Sequence, residues 1–421
     1  MTFRKGWWCL AVALVSLTPS AFAQTATTNP EDEYKKLVKV NTEIQPLGET
    51  PFGESVNVFD GGLSFHVVDI SIPGTGPTIE IGRTFHADGD SAERWSDSEF
   101  GDWDLDIPRL TTLTSNQGTI IQGPNQMGWL VNSIARTDRC TNFREPPEQR
   151  VGRPGSDPVE PDAWWNQGYT LQIPGVPDQD MLNRVATSPA APTVDGLNYA
   201  AVSKDRWHLG CLAATANGQE GEAFEAVGPN GSKYWLNQLI YRPARDFGIV
   251  RNLGVMAATR MEDRFGNGLN YNWNGDQLAS IVADDGRTVT FEYASDGKHI
   301  SRVNVVTANN GTRSWTYGYA PVSGGSVLSS VTLPDGSAWT YDLTGLTFDV
   351  KSPAPSGHCN DVDAQPDSTQ VGTITAPSGL QGRFEAHPVR HARSNVPEAC
   401  SAQLLTPATV SSRCRWMCGR T

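Results

Sequence analysis

From about Met256 to Leu346, hydrophobic and polar residues alternate with a period of two, broken at intervals by Asp-Gly or Asn-Gly. Val289, Phe291 and Tyr293 are two apart, as are Trp315, Tyr317 and Tyr319, and Trp339, Tyr341 and Leu343. That spacing puts each trio on one face of a strand, and Thr and Ser fill most positions between. The turns predict hairpins of type I′, which needs positive φ at both central residues. The unit recurs. Leu278-Ala-Ser-Ile281 through Asp285-Gly286 to Phe291 has the same spacing as Leu328-Ser-Ser-Val331 through Asp335-Gly336 to Tyr341. A looser copy runs from Ile300 to Tyr319 with Asn310-Gly311 at its turn, and a partial one ends in Tyr271-Asn-Trp273. Such recurrence means one supersecondary unit stacked on itself. A lone hairpin is marginal in water. Neighbouring units therefore share a wall built from Tyr271, Trp273, Phe291, Tyr293, Trp315, Tyr317, Tyr319, Trp339 and Tyr341, all in a structural role.

Upstream, Pro51 to Phe85 opens the folded part. Leu63, Phe65 and Val67 alternate, then Val68, Ile70 and Ile72 alternate in the opposite phase. A phase switch inside one apolar run predicts a bulge or sharp bend. Pro73-Gly74 ends that strand, and Ile79, Ile81 and Phe85 resume the period. Phe224 to Tyr241 is a further strand pair around Asn230-Gly231. Glu31 to Val40 is a short helix with Asn29 as cap and Pro30 at its first position. The stretch at about 141–210 is rich in Pro and Gly and is read as a surface insertion anchored by Trp164, Trp165 and Trp207. After Leu346 the pattern fades, although Ala376 to Phe384 starts another strand pair.

Asp263-Arg-Phe-Gly-Asn267, Leu269-Asn-Tyr271, Asp285-Gly286 to Tyr293 and Asp335-Gly336 to Tyr341 resemble the tyrosine–aspartate (YD) repeats of the rearrangement-hotspot (RHS) family. Gly61-Gly-Leu-Ser-Phe65, Asp69-Ile-Ser-Ile-Pro-Gly74 and Ile81-Gly-Arg-Thr-Phe85 are similar to the N-terminal region of its exported members, and Lys233-Tyr234-Trp235 to the entry of the array. The resemblance implies an all-β fold of antiparallel hairpin and meander sheets, with the YD-repeat array forming a partial spiral shell. Complete members carry many more repeats around a C-terminal cargo, often a toxin. About four copies are too few to close a shell by that analogy. The expected organisation is a signal peptide at 1–23, a flexible lead at 24–50, an N-terminal β domain at 51–255, the array at 256–346 and a loop-rich tail at 347–421. The tail from Glu385 onward has no clear period and reads as a truncated or out-of-frame C-terminus.

The 421 residues include 41 Gly and 28 Pro, which favours turn-rich β structure over helix bundles. Arg4 and Lys5, the apolar run Trp7 to Leu17 and Ala21-Phe22-Ala23 form a secretory leader too short to span a bilayer. Its removal changes the net charge from −13 to −15, which argues against nucleic acid and anionic membrane surfaces as partners. The leader also takes Cys9, leaving Cys140, Cys211, Cys359, Cys400, Cys414 and Cys418 for disulfides in an exported chain. Cys140 and Cys211 bracket the insertion and are the pair proposed for its neck.

No motif for catalysis, metal or cofactor stands out: there is no nucleophile elbow, Walker loop, dinucleotide fingerprint or zinc-protease helix. His387 and His391 are separated by Pro388. Asp102, Asp104 and Asp106 offer hard oxygen ligands for calcium. Their alternation with Trp103, Leu105 and Ile107 is explained more simply by apolar side chains turned inward and carboxylates left in water. The expectation is an exported, non-enzymatic structural or interaction protein without cofactor. Its partner is an unknown protein or a cell-surface glycan, and no transmembrane anchor remains after leader removal. A carbohydrate-binding envelope module and an envelope hydrolase are the alternatives.

Overall fold

The structure, a computed structural model, describes residues 43–44, 50–57, 62–87, 98–115, 137–143, 168–193, 196–246, 249–306, 311–322, 325–346 and 369–386. The leader, the helix read over Glu31 to Val40, Trp164-Trp165, His387, His391 and the cysteines beyond Cys211 lie outside them. The described residues are all-β, and their strand pairings are antiparallel.

The first sheet contains β1 (Glu43–Ile44), β2 (Glu54–Asn57), β3 (Leu63–Ile72), β4 (Ile79–His86) and β5 (Asp104–Leu105), in that order. Leu63, Phe65, Ile70, Ile79, Ile81 and Phe85 are buried on one face. The register of β3 on β4 shifts between Val68 and Ile70, at the phase switch in the sequence. The residue in the bulge is Asp69.

Eight strands then close on themselves. They are β6 (Arg109–Ser115), β7 (Tyr169–Ile173), β8 (Val176–Asn183), β9 (Tyr199–Val202), β10 (His208–Leu212), β11 (Ala223–Val227), β12 (Lys233–Asp246) and β13 (Ile249–Glu262). Each pairs with the next, and Arg251–Ala257 of β13 returns to pair with Ser115–Arg109 of β6. A ring of this size is just wide enough for side chains to fill; Leu110, Leu171, Met181, Leu209, Phe224 and Met256 are all buried. The stretch at about 141–210 is thus not a surface insertion throughout, because it supplies β7 to β10. β7, β9 and β10 have five residues or fewer, and β8, set off by the Pro174-Gly175 turn, is mostly polar or Pro, so no long period betrays them.

The boundary expected at 255/256 falls inside β13, which is a branch point. Arg251–Ala257 pairs with β6, while Arg260–Glu262 on the same edge pairs with β14 (Gly268–Asn274). From there a meander runs through β15 (Gln277–Ala283), β16 (Thr288–Tyr293), β17 (Ile300–Val306), β18 (Thr312–Val322), β19 (Gly325–Thr332) and β20 (Ala338–Asp342). It continues past Leu346 into β21 (Gln370–Thr375) and β22 (Gln381–Ala386), within the stretch read as tail.

The described Asp-Gly and Asn-Gly hairpin turns are not of type I′, while Asn310 of the Asn310-Gly311 turn lies outside the described residues. In the turn at Asp285, Gly286 N–H donates to Ala283 O (2.9 Å) and Ala283 N–H to Arg287 O (2.9 Å). The same pair of bonds closes Leu333–Ser337, Ala376–Leu380, Gly228–Ser232 and Asp263–Asn267. Gly286, Gly336, Gly379, Gly231 and Gly266 have positive φ, but Asp285, Asp335 and Asn230 do not. The turns are therefore three-residue loops: a type I turn followed by one left-handed residue that forms a bulge. Side chains favour this form by accepting the N–H two residues on, Asp335 from Ser337 (3.0 Å) and Asn230 from Ser232 (3.0 Å).

Ser203–Trp207 closes in the same way, with Arg206 N–H donating to Ser203 O (3.1 Å) and Ser203 N–H to Trp207 O (2.8 Å). Here the left-handed position holds Arg206, at φ 66°. That conformation costs a side-chain-bearing residue about 1–2 kcal/mol, while Gly loses about 0.5–1 kcal/mol more than Ala on being ordered. Arg206→Gly is expected to stabilise the protein by up to about 1 kcal/mol. A urea midpoint that falls on this substitution contradicts the turn assignment.

Candidate functional site

The nine repeat aromatics form one wall. Tyr271, Phe291, Trp315, Tyr317 and Tyr341 are buried, and Trp273, Tyr293, Tyr319 and Trp339 pack partly buried against the same cluster. Aromatic and aliphatic strands alternate across it. Tyr271 lies opposite Ile281, Phe291 opposite Val303 and Val303 opposite Trp315; Tyr317 lies opposite Val331 and Val331 opposite Trp339. Rings thus pack beside branched side chains rather than crowding one another.

Polar latches close the open end of three hairpins, each from its outgoing strand back to its incoming one. Trp273 Nε1 donates to Ala258 O (2.9 Å), Tyr293 Oη to Leu278 O (3.1 Å) and Tyr319 Oη to Ile300 O (2.6 Å). Each acceptor sits beside a register shift between its strand and a neighbour, where a bulge disrupts the ladder and leaves a residue unpaired. The sequence reading treats these rings as apolar bulk and misses the latches. The signal was the polar ring at the last aromatic position of these copies, Trp273, Tyr293 and Tyr319; Leu343 in the last copy has no such donor.

The first sheet covers this wall. Phe100 lies 4.5 Å from Tyr317, Trp103 lies 5.1 Å from Tyr341 and Phe52 lies 6.5 Å from Trp339, centroid to centroid. At the centre of the contact is Arg83, fully buried. Its Nε donates to Asp69 Oδ2 (2.8 Å) and its Nη2 to Asp69 Oδ1 (3.2 Å) and to Tyr341 Oη. Tyr317 Oη donates to Asp69 Oδ2 (3.0 Å). The guanidinium lies 4.5 Å from the Trp103 ring centre and 4.9 Å from that of Tyr341. One ion pair and two repeat tyrosines therefore bind β3 and β4 to β18 and β20. Burial alone would weaken the Arg83 charge, but Asp69 and Tyr341 outweigh it and hold the guanidinium protonated.

Burial, and then the Asp69 carboxylate, raises the Tyr317 phenol well above its ordinary range. Burial pushes Tyr341 from 10.0 up to about 12, against the opposing pull of Arg83. A raised folded-state pKa means that the folded chain holds its proton longer than the unfolded chain. The contribution is fully present below the unfolded value of 10.0 and is lost as pH rises towards about 12. Stability should therefore fall over that window, less steeply in Tyr317→Phe/Tyr341→Phe. Equal slopes for parent and variant in denaturant titrations would contradict it.

A second contact uses the repeat turn itself. Thr75 N–H donates to Asp285 Oδ2 (3.0 Å), and Arg287 donates to Pro77 O (2.9 Å) and to Ile72 O. The side-chain bond from Arg287, followed by the Thr75 backbone bond, holds the Asp285 carboxyl below its usual range. The turn that shapes the hairpin thus also grips the β3–β4 connection.

The acidic run near residue 100 corrects an expectation. Trp103, Leu105 and Ile107 do face inward, but the carboxylates between them are not left to water. Asp102 accepts Leu328 N–H (2.8 Å), Asp104 accepts the Ser98 hydroxyl (2.7 Å) and Asp106 accepts the Thr84 hydroxyl (2.8 Å). Glu99 is buried against Arg242, and its carbonyl accepts Ile300 N–H (2.8 Å). These groups stitch the Ser98–Ile107 segment to both sheets. Among the described residues, no group of three or more His, Cys, Asp or Glu is placed to hold a metal ion.

Cys140 and Cys211 form a disulfide, with Cα atoms 5.4 Å apart and a separation of 71 positions in sequence. It ties the 137–143 segment to β10. The Glu222 carboxylate accepts Cys140 N–H (2.8 Å) and Thr141 N–H (2.8 Å); Phe143 meets Tyr169 edge-to-face at 4.6 Å, and Tyr169 in turn meets Phe224 edge-to-face at 5.7 Å. The segment is thus held by a covalent bond, a carboxylate and an aromatic column.

In sum of chemistry, the arrangement joins and stiffens sheets. No helix among the described residues is long and apolar enough to cross a membrane. No family model matches this sequence, and no curated protein matches it.

Proposed function

We propose that the chain is an exported, non-enzymatic structural or interaction protein of the RHS-repeat type, part of a wall that serves cell contact or toxin packaging. The observation that carries this reading is the aromatic wall that successive hairpins share, with Phe291 paired opposite Val303 of the next hairpin and Tyr317 opposite Val331 of the one after. It makes each repeat depend on its neighbour, as stacked repeats do. The grip of Asp285 and Arg287 on the β3–β4 connection adds to it, since a turn residue of the repeat then has a second use in assembly. Fold analogy alone does not yield function, so the test is biochemical. The chain, expressed with its own first 23 residues in a bacterial host, should be exported and should start at Gln24. The purified product should sediment with isolated cell envelopes in a saturable manner and release nothing from them. Soluble fragments released from the envelopes would replace this reading with a hydrolase.

A further inference from the structure

Hairpin tips β9–β10, β11–β12 and β13–β14 lie side by side at one end of the sheet, since antiparallel order sends alternate turns to the same end. A methyl group built on Gly228 would stand 3.0 Å from Trp207 Cη2, and one on Gly231 would stand 3.2 Å from Arg264 Cβ. The tips are therefore contiguous. We propose that they form a binding surface for an acidic polysaccharide, with Arg206 and Arg264 as anion contacts and Phe265 as the ring that receives a sugar face.

Three independent observations support this. Arg206 occupies the left-handed position of its turn, at φ 66°, where five turns with the same bonding hold Gly. The backbone cost falls on an exposed arginine with no packing role at that site. Phe265 is 74% exposed, more than any other large hydrophobic side chain described, and Arg264 lies 4.6 Å over its ring. A guanidinium on an exposed ring offers a flat apolar face beside free donors, which suits a sugar bearing a carboxylate. The acids of these tips are also occupied. Asp205 accepts from Gln179 (3.0 Å), while Asp263 accepts Phe265 N–H (2.8 Å), Asn267 N–H (3.0 Å) and Asn267 Nδ2 (2.9 Å). On a chain of net charge −13, the exposed charged side chains of these tips are nonetheless mostly cationic, Lys204, Arg206 and Arg264 against Asp205. Neighbouring hairpins are about 10 Å apart, twice the strand spacing; the middle tip carries no charge, so Arg206 and Arg264 stand about 20 Å apart, a span that a polymer with repeating charge can bridge. Arg264 and Phe265 fall in the Asp263–Asn267 segment that resembles the RHS repeats, but the proposal rests on their exposure and charge and uses none of the repeat aromatics.

The test is binding of the full chain to polygalacturonate, with neutral dextran and poly-L-glutamate as comparison polymers. Arg206→Gly suits it well, because it removes the charge and relaxes the turn. Polygalacturonate should bind, weaken with added salt, and lose up to about fivefold in affinity on Arg206→Gly. Arg206→Gly/Arg264→Gln/Phe265→Ser should lose about tenfold or more, with the thermal midpoint of Arg206→Gly unchanged or raised. Equal binding by parent and triple variant overturns the proposal, as does equal binding of dextran. Poly-L-glutamate bound as tightly as polygalacturonate, with no effect of Phe265→Ser, also overturns it in favour of an acidic protein partner.

Discussion

Asp69→Ala is expected to destabilise the protein by about 3–5 kcal/mol, because it leaves the Arg83 guanidinium charged and unpaired in the interior. The Asp69 side chain is 1% exposed and that of Arg83 is fully buried, so water cannot take the place of the lost carboxylate. Tyr317 loses its acceptor in the same step, and the damage extends to the contact between the first sheet and β18 and β20. The size of the effect does not mean that the pair itself is worth that much. Desolvating two charges consumes most of their attraction, and well-packed apolar replacements for buried pairs are often neutral or stabilising. The control is therefore Asp69→Leu/Arg83→Met, which should recover most of the lost stability. Denaturant midpoints for the three proteins decide it. If Asp69→Ala unfolds at the parent's midpoint, the node does not join the sheets.

Loss of the Cys140–Cys211 bond is the second large effect. The bridge spans 71 residues, for which chain entropy gives about 4 kcal/mol, within the roughly 2–5 kcal/mol usual for removing a native disulfide. Cys140→Ala/Cys211→Ala should show this deficit, and the reduced parent should match it. Because Cys140 is fully buried, reduction of the folded protein should be slow and should speed up in moderate denaturant. Rapid reduction under native conditions, with no change in unfolding midpoint, would mean that the bridge neither lies inside nor supports the ring.

Much of the fold is legible in the residue pattern. The meander from β14 to β20, its common aromatic face and the hairpin at Asn230-Gly231 follow from alternation and turn residues. So does the irregularity in β3, since an apolar run that changes phase cannot keep one face buried without an extra residue. The node at Arg83 was partly legible too. Ile79, Ile81 and Phe85 set a phase in which Arg83 must point inward, and a buried arginine demands a carboxylate. The pattern does not name that carboxylate, but Asp69 stands at the phase switch. By contrast, Tyr169, Leu171 and Ile173 of β7 alternate but stand isolated, because β8 to β10 carry Pro, Gly, small or acidic residues where a period of two would continue. The turn type was misread because Asp-Gly serves two hairpin geometries. Which one forms depends on whether the Asp side chain can accept the backbone N–H two residues ahead.

By itself, the sequence determined the local rules: where most strands run, which side chains share a face and where turns fall. Those follow from steric periods and from residues that favour particular φ and ψ, and both act over a few positions. Tertiary structure alone decided that β13 divides its edge between β6 and β14, that eight strands close into a ring, and that the first sheet covers the aromatic wall. It also decided that the carboxylates of Asp102, Asp104 and Asp106 serve as acceptors for protein donors. The reason is that such contacts join residues up to 258 positions apart, as between Arg83 and Tyr341. A strand's pattern records that one face must be buried, but not which other face buries it.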